Sequence, residues 1–122
     1  MLIVDDHEFV RESLALFAET QDDIEIVGQA TNGDEALRLC ADLRPDVVLL
    51  DLSIPLIDGL TVLRVIRQMY PSVAVVMLSY SSKTEDIEAA TQAGASAYLV
   101  KGVDLDEMAA AIRQAKLTLG SG

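Results

Sequence analysis

The sequence predicts an α/β fold with a doubly wound, five-stranded parallel sheet. Short apolar runs alternate along the chain with stretches that carry apolar residues at helical spacing, a pattern typical of repeated strand–helix units. A reactive side chain also follows four of these runs, where parallel strands would end at one edge of the sheet. The predicted strands span residues 1–4, 25–30, 47–50, 73–78 and 97–100.

The third and fourth runs, 47–50 and 73–78, are apolar throughout. Strands of this kind are covered on both faces in parallel sheets, so we expect helices on both sides. The length of 122 residues fits one domain. We assign residues 1–117 to that domain and residues 118–122 to a flexible tail or to the start of a linker.

Apolar stripes predict the helices between the strands. The stripes are Val10, Leu14 and Phe17, then Val62, Ile66 and Met69, and finally Met108, Ala111, Ile112 and Ala115. Asn32 with Glu35, Ser82 with Glu85, and Asp104 with Glu107 have the spacing of helix N-terminal caps. The helix predicted between Ser82 and Gly94 is the most weakly anchored, because its inner residues, Ile87, Ala90 and Ala93, bury little area. Met69, Met77 and Cys40 are expected in the core.

The net charge and the length of the apolar runs exclude some classes of function. The formal net charge is −11, which is the wrong sign for binding a phosphate backbone, so this chain should not bind DNA by itself. The longest apolar run, residues 73–78, is too short to span a membrane. Residue Met1 leads directly into a strand, without the basic start of a signal peptide. A cytoplasmic protein without membrane contact is therefore expected.

Five polar side chains follow the predicted strands, and we expect them to share one crevice. They are Asp5, Asp6, Asp51, Ser79 and Lys101. Carboxylates brought together in this way repel each other by ~4 kcal/mol per close pair at an effective dielectric of 20. A hard cation such as Mg²⁺ and the Lys101 ammonium would offset this repulsion. A carboxylate can also attack phosphorus and form an aspartyl phosphate. Each acid alone could equally be a solvated strand-end residue.

Five motifs in order resemble bacterial response-regulator receiver domains over nearly the whole chain, and they look like the NarL/LuxR-type branch. They are Ile3-Val4-Asp5-Asp6-His7, Leu49-Leu50-Asp51-Leu52-Ser53-Ile54-Pro55, Asp58-Gly59, Leu78-Ser79 and Tyr98-Leu99-Val100-Lys101-Gly102. The segment 94–99 adds to the likeness with that branch. The resemblance implies strand order 2-1-3-4-5 and a signalling domain that is not an enzyme in its own right.

The resemblance also assigns roles to individual residues. Asp51 would be the phosphorylated residue, and Asp6, Asp51 and the Ser53 backbone carbonyl would bind Mg²⁺, with Mn²⁺ as an alternative. Asp5 would lie in the outer shell of the metal. The phosphoryl group would be bound by Lys101 and Ser79, and Ser79 and Tyr98 would form the switch. Ser53 and Ser81 occupy positions that tune phosphoryl hydrolysis in such domains.

The implied partners are a sensor histidine kinase and, after phosphorylation, a second copy of the chain. DNA would be reached only through a helix-turn-helix output domain that these residues do not include. The weakly anchored fourth helix, the fifth strand and the last helix would form the switching surface. A stand-alone receiver, or a pseudo-receiver that acts only by binding proteins, stays open as an alternative.

Two other classes fit less well. A metal-dependent phosphatase usually has a second acid two residues after its nucleophile, where Ser53 stands. A flavodoxin-like cofactor binder needs a phosphate-cradling loop after the first strand, and Asp5-Asp6-His7-Glu8 would repel phosphate. His7 is expected to be a solvated residue of the first helical turn. The resemblance leaves open whether the Lys101–Gly102 bond is cis, since a cis bond before a non-proline residue costs about 2.5 to 4 kcal/mol.

Overall fold

The computed structural model describes residues 1–120 and confirms the predicted fold, a five-stranded sheet in the order β2-β1-β3-β4-β5. Every pair of neighbouring strands is parallel. The strands are β1 (Leu2–Val4), β2 (Gly28–Ala30), β3 (Val47–Asp51), β4 (Ala74–Ser79) and β5 (Ala97–Val100). The helices are α1 (Glu8–Glu19), α2 (Gly33–Leu43), α3 (Gly59–Met69), α4 (Thr84–Gln92) and α5 (Leu105–Gly120).

Two hydrophobic cores lie on opposite faces of the sheet. Because side chains alternate along a strand, Val48 and Leu50 point into one core and Val47 and Leu49 into the other. The first core also contains residues of α2, α3 and α4, and the second contains residues of α1 and α5. Helices therefore cover both faces, and β3 and β4 are buried along their whole length, as predicted.

Parallel pairing brings the carboxyl ends of the central strands to one edge. Asp51 ends β3 opposite Leu78 of β4, and Ser79 ends β4 opposite Val100 of β5. The backbone N–H of Lys101 then donates to the Ser79 carbonyl at 2.7 Å. The candidate residues of the sequence analysis are thus neighbours by strand register before any side-chain contact forms.

Several predictions of local structure were wrong. Met69 is 62% exposed, because the buried row of α3 runs through Leu63 and Ile66 to Tyr70, which packs against the first core. Ser82 does not cap α4: Lys83 is the residue before that helix, and it makes no side-chain cap. The strand β2 is shorter than predicted and begins at Gly28.

The predicted tail overlaps α5, which continues to Gly120. Helical hydrogen bonding reaches the start of that segment, where the Thr118 hydroxyl donates to the Gln114 carbonyl at 2.9 Å. Residues 121–122 of the predicted tail lie outside the described residues. Within residues 1–120 all peptide bonds are trans, Lys101–Gly102 included. In the same range no helix is both long enough and apolar enough to cross a bilayer.

Candidate functional site

The centre of the site is a buried carboxylate pair that shares one ammonium group. Asp5 follows β1 and Asp51 ends β3, and these two residues are only 1% and 3% exposed. The Lys101 Nζ lies 2.9 Å from Asp5 Oδ2 and 3.2 Å from Asp51 Oδ2. Arg11 of α1 donates to the Asp5 carbonyl at 2.8 Å and fixes the loop after β1. The structure therefore brings together three of the residues that the sequence analysis singled out.

The two carboxyl groups differ in their electrostatic surroundings. Burial raises the pKa of Asp51, and the nearby charge of Asp5 raises it further, against the opposing effects of the Ser53 N–H and Lys101. Burial alone would also raise the pKa of Asp5, but hydrogen bonds from His7 and Lys101 outweigh it and lower that pKa. Burial likewise opposes the charge of Lys101, yet its two carboxylate partners raise its pKa. The buried Lys101 ammonium is thus paired with two carboxylates, those of Asp5 and Asp51.

A cation-binding group surrounds this pair. Asp5, Asp6, His7 and Asp51 each offer a ligand atom, and these atoms lie within 4.8 Å of one another. Asp6 is partly open to solvent, with a side chain that is 39% exposed. Carboxylate oxygens with water access are what Mg²⁺ requires, so the donor set fits that ion. Ser53 lies beside the group, because its backbone N–H donates to Asp51 Oδ1 at 3.0 Å.

His7 is more closely tied to the acids than predicted. Its ring is half-exposed, but Nδ1 lies 3.0 Å from Asp5 Oδ1 and 3.2 Å from Asp6 Oδ1. Its backbone N–H donates to the same Asp5 oxygen at 2.9 Å. The His7 side chain is solvent-exposed, as predicted, and it also holds one oxygen of the Asp5 carboxylate while Lys101 contacts the other.

The remaining candidates, Ser79 and Tyr98, meet at Ser81. The Ser81 N–H donates to Ser79 Oγ at 3.0 Å, and the Tyr98 hydroxyl donates to the Ser81 carbonyl at 2.9 Å. Tyr98 packs against the first core, so its ring lies inward in this structure. The Ser81 hydroxyl in turn donates to Asp86 of α4. One residue therefore connects Ser79, Tyr98 and the first turn of α4.

Tyr80 lies between Ser79 and Ser81 in the chain and covers Lys101. The Lys101 Nζ is 4.7 Å from the centre of the Tyr80 ring, within the range of a cation–π contact. The ring itself remains largely exposed to solvent. Sequence reasoning did not assign Tyr80 or Asp86 to the site. An aromatic residue directly after a strand-end hydroxyl, and an acid near a helix start, were the available signals.

A parallel sheet in this strand order, with paired carboxylates and an ammonium at the strand ends, defines a receiver-type α/β domain. Comparison with known proteins gives the same result. Residues 1–113 match the sequence profile described as "Response regulator receiver domain", and the chain belongs to this family.

Relatives of the NarL/LuxR type support the assignment to that branch. The chain is 43% identical over 108 residues to the "Uncharacterized transcriptional regulatory protein YhcZ" of Bacillus subtilis, covering 88% of this chain and 50% of that protein. It is 35% identical over 115 residues to the "Nitrate/nitrite response regulator protein NarL" of Escherichia coli, covering 94% of this chain and 53% of that protein. The chain therefore spans about half the length of these curated relatives.

A solved structure shows the same fold. The crystal structure of a LuxR-family two-component response regulator from Aurantimonas sp. superposes with a TM-score of 0.90 at 31% sequence identity. The match covers 96% of this chain and 84% of that one. The chain is therefore a receiver domain of the response-regulator class, and receiver domains serve in signalling.

Proposed function

We propose that this receiver accepts a phosphoryl group from a sensor histidine kinase on Asp51 and converts it into a change of its surface. One observation carries the proposal. Asp51 ends the central strand β3 inside a buried crevice, with the Lys101 ammonium at 3.2 Å from one of its carboxylate oxygens. A nucleophilic carboxylate needs such a positive charge beside it when an anionic phosphoryl group arrives.

The reaction transfers the phosphoryl group between two side chains. An Asp51 oxygen forms a bond to phosphorus while the bond from phosphorus to a histidine nitrogen of the kinase breaks, and that nitrogen leaves with the electron pair. The Ser53 N–H holds the other Asp51 oxygen and so orients the nucleophile. Lys101 pairs with the new phosphoryl oxygens, and the Ser79 hydroxyl donates a hydrogen bond to one of them.

Asp6, Asp51 and the Ser53 carbonyl would bind Mg²⁺, or Mn²⁺ in its place, with Asp5 in the outer shell. The bound ion supplies positive charge that offsets the acids and the incoming group. The fit rests on the carboxylate cluster and on the solvent access at Asp6. Asp5 is buried and shares its charge with Lys101 and His7, whereas Asp6, which also contacts His7, is partly open to solvent and is the acid placed to take an ion directly.

Phosphorylation would then act through Ser79 and Tyr98 on the surface formed by α4, β5 and α5, and favour a homodimer. The output would be transcriptional, through a helix-turn-helix domain in a longer protein. Support comes from relatives that are described as transcriptional or response regulators and are about twice the length matched here. The domain itself takes part only in its own phosphorylation and dephosphorylation.

The test is intact-mass analysis with peptide mapping after incubation with acetyl phosphate, with and without Mg²⁺. We expect one phosphoryl group that requires Mg²⁺ and maps to Asp51, and none on Asp51→Asn. Asp58→Asn serves as a matched control, because Asp58 is an exposed acid at the start of α3. A folded native chain that takes no phosphoryl group under any condition would overturn the proposal and indicate a pseudo-receiver.

A further inference from the structure

Ser81 is the point where the site is joined to α4. It makes two bonds through its backbone, to Ser79 Oγ and from the Tyr98 hydroxyl. It makes two more through its hydroxyl, which donates to Asp86 Oδ2 and accepts from the Lys83 N–H at 3.2 Å. The backbone bonds face the proposed switch residues, whereas the hydroxyl bonds face the helix. Any movement of Ser79 that displaces Ser81 must therefore act on Asp86.

The two ends of α4 are held differently. At the C-terminal end, the Ala95 N–H donates to the Ala90 carbonyl at 3.0 Å. Gly94 has a φ of +105°, and a Cβ there would lie 2.5 Å from the Arg67 side chain, so α3 packs directly beneath this turn. At the N-terminal end, Lys83 provides no side-chain cap. The Ser81 hydroxyl provides the side-chain links there, since it donates to Asp86 and accepts from the Lys83 N–H.

We propose that Asp86 is a positioning residue for the switch: through the Ser81 hydroxyl it holds Ser79 Oγ against the Ser81 N–H, away from the phosphoryl position. The inference rests on the proposed function, since it describes how that site is regulated. Release of the Ser81–Asp86 bond frees Ser79 to turn toward a phosphoryl oxygen and frees the first turn of α4 to move. Phosphorylation and the position of α4 are therefore coupled through the hydrogen bond between Ser81 and Asp86.

The variants are Asp86→Ala, Ser81→Ala, the double variant, and Asp86→Asn, which keeps an oxygen acceptor for the Ser81 hydroxyl. The matched control is Glu85→Ala, because Glu85 is an exposed acid in the same first turn of α4. It removes an equal charge from the same helix end and so reports any effect on the helix dipole.

The first measurement is amide hydrogen exchange of residues 79–92 without phosphodonor. We expect exchange to be about fivefold faster in Asp86→Ala, close to the net effect of losing one typical hydrogen bond. Ser81→Ala also removes the acceptor for the Lys83 N–H, so it should give at least the same increase, and the double variant no more than Ser81→Ala. Asp86→Asn and Glu85→Ala should remain near the native rates. Additive effects of the two single variants would overturn the proposal.

The second measurement is the rate of phosphorylation by acetyl phosphate with Mg²⁺. We expect Asp86→Ala to be labelled about fivefold faster than the native chain, and Glu85→Ala at the native rate. A purely structural role for Asp86 would change stability and leave this rate unchanged. Equal rates in Asp86→Ala and Glu85→Ala, with a labelled native chain, would overturn the inference alone. Absence of label on the native chain would overturn the proposed function, and the exchange data would still decide whether the bond restrains Ser79.

Discussion

The helices α3 and α4 pack on the same face of the sheet but are anchored to very different extents. Val62, Leu63 and Ile66 of α3 are fully buried, whereas in α4 only Ala90 is. Asp58 caps α3, since its Oδ1 accepts from the Thr61 N–H at 3.0 Å. The corresponding residue of α4, Lys83, makes no side-chain cap. The difference separates a helix that fixes the position of the site from a helix that can respond to it.

A position that is weakly held can be shifted by a small free energy. If two positions of α4 differ by a few kcal/mol, a ligand that favours one of them can change their populations. The same free energy would leave α3 in place, because burying three aliphatic side chains is worth several kcal/mol. The loop from Asp51 to Gly59 is thus built on a strongly anchored helix, whereas the proposed switch residues are connected to a weakly anchored one.

Truncation of one isoleucine in each helix should give the largest difference in the free energy of unfolding between α3 and α4. Ile66→Ala in α3 should lower the free energy of unfolding by about 3 kcal/mol, because it leaves a cavity in a packed core. Ile87→Ala in α4 should lower it by about 1 kcal/mol, because that side chain is only half-buried and its site can relax. Urea unfolding followed by circular dichroism measures both. Equal losses would show that the two helices are anchored alike.

The cap of α3 should have a smaller effect that depends on pH. Asp58→Ala should lower the free energy of unfolding by about 1 kcal/mol at neutral pH, the usual effect of losing an N-cap. Hydrogen bonds from the Thr61 N–H and hydroxyl lower the pKa of Asp58. The stabilisation is therefore present above the unfolded-state pKa and is lost as pH falls through the folded-state pKa.

Unfolding of native chain and Asp58→Ala at pH 7 and pH 3 measures this effect. The difference between the two proteins should shrink at the lower pH. A difference that stays constant across this range would mean that the carboxylate charge contributes nothing to the cap.

Adding a side-chain N-cap to α4 should make the two helices more alike, with the smallest change in the free energy of unfolding. Lys83→Ser places a hydroxyl acceptor at a residue whose backbone is already extended, with φ −67° and ψ 134°. It also removes a positive charge from a helix N-terminus. We expect a gain of about 0.5 kcal/mol in the free energy of unfolding and slower amide exchange in α4. Lys83→Ala removes the same charge without an acceptor, and an equal gain in that variant would assign the effect to charge alone.

Sequence pattern predicted the fold well wherever burial sets the pattern. The runs that became β3 and β4 are apolar on both faces and could be placed within a residue of their observed bounds. The edge strand β2 was placed too long: residues 25–27 alternate in burial as a strand does, and Glu25 and Val27 hydrogen-bond to Met1, but β2 itself begins at Gly28. The start of α4 was misplaced at Ser82, because Ser81 and not Ser82 provides the hydroxyl at that helix end.

The site was predictable to the extent that backbone register determines it. Asp5 and Asp51 lie at the ends of the neighbouring strands β1 and β3, and Lys101 follows β5 at the same edge of the sheet. Their meeting needed only the topology and a side chain long enough to reach across the end of β4. The contacts of His7 with Asp5, of Tyr80 with Lys101 and of Ser81 with Asp86 depend on loop conformation and side-chain rotamers. The periodic spacing of apolar residues, from which strands and helices are predicted, gives no information about such contacts.

The two separate cores have a consequence for how this chain can change over time. Alternate residues of each strand serve different layers, so a substitution at Leu49 alters packing against α1 and α5 and one at Leu50 alters packing against α2, α3 and α4. The layer that contains α4 can therefore be retuned while the opposite layer keeps its shape. Substitutions that repack α1 and α5 against the sheet can accumulate without repacking α4, and substitutions under α4 can accumulate without repacking α1, which allows one scaffold to diversify in two layers.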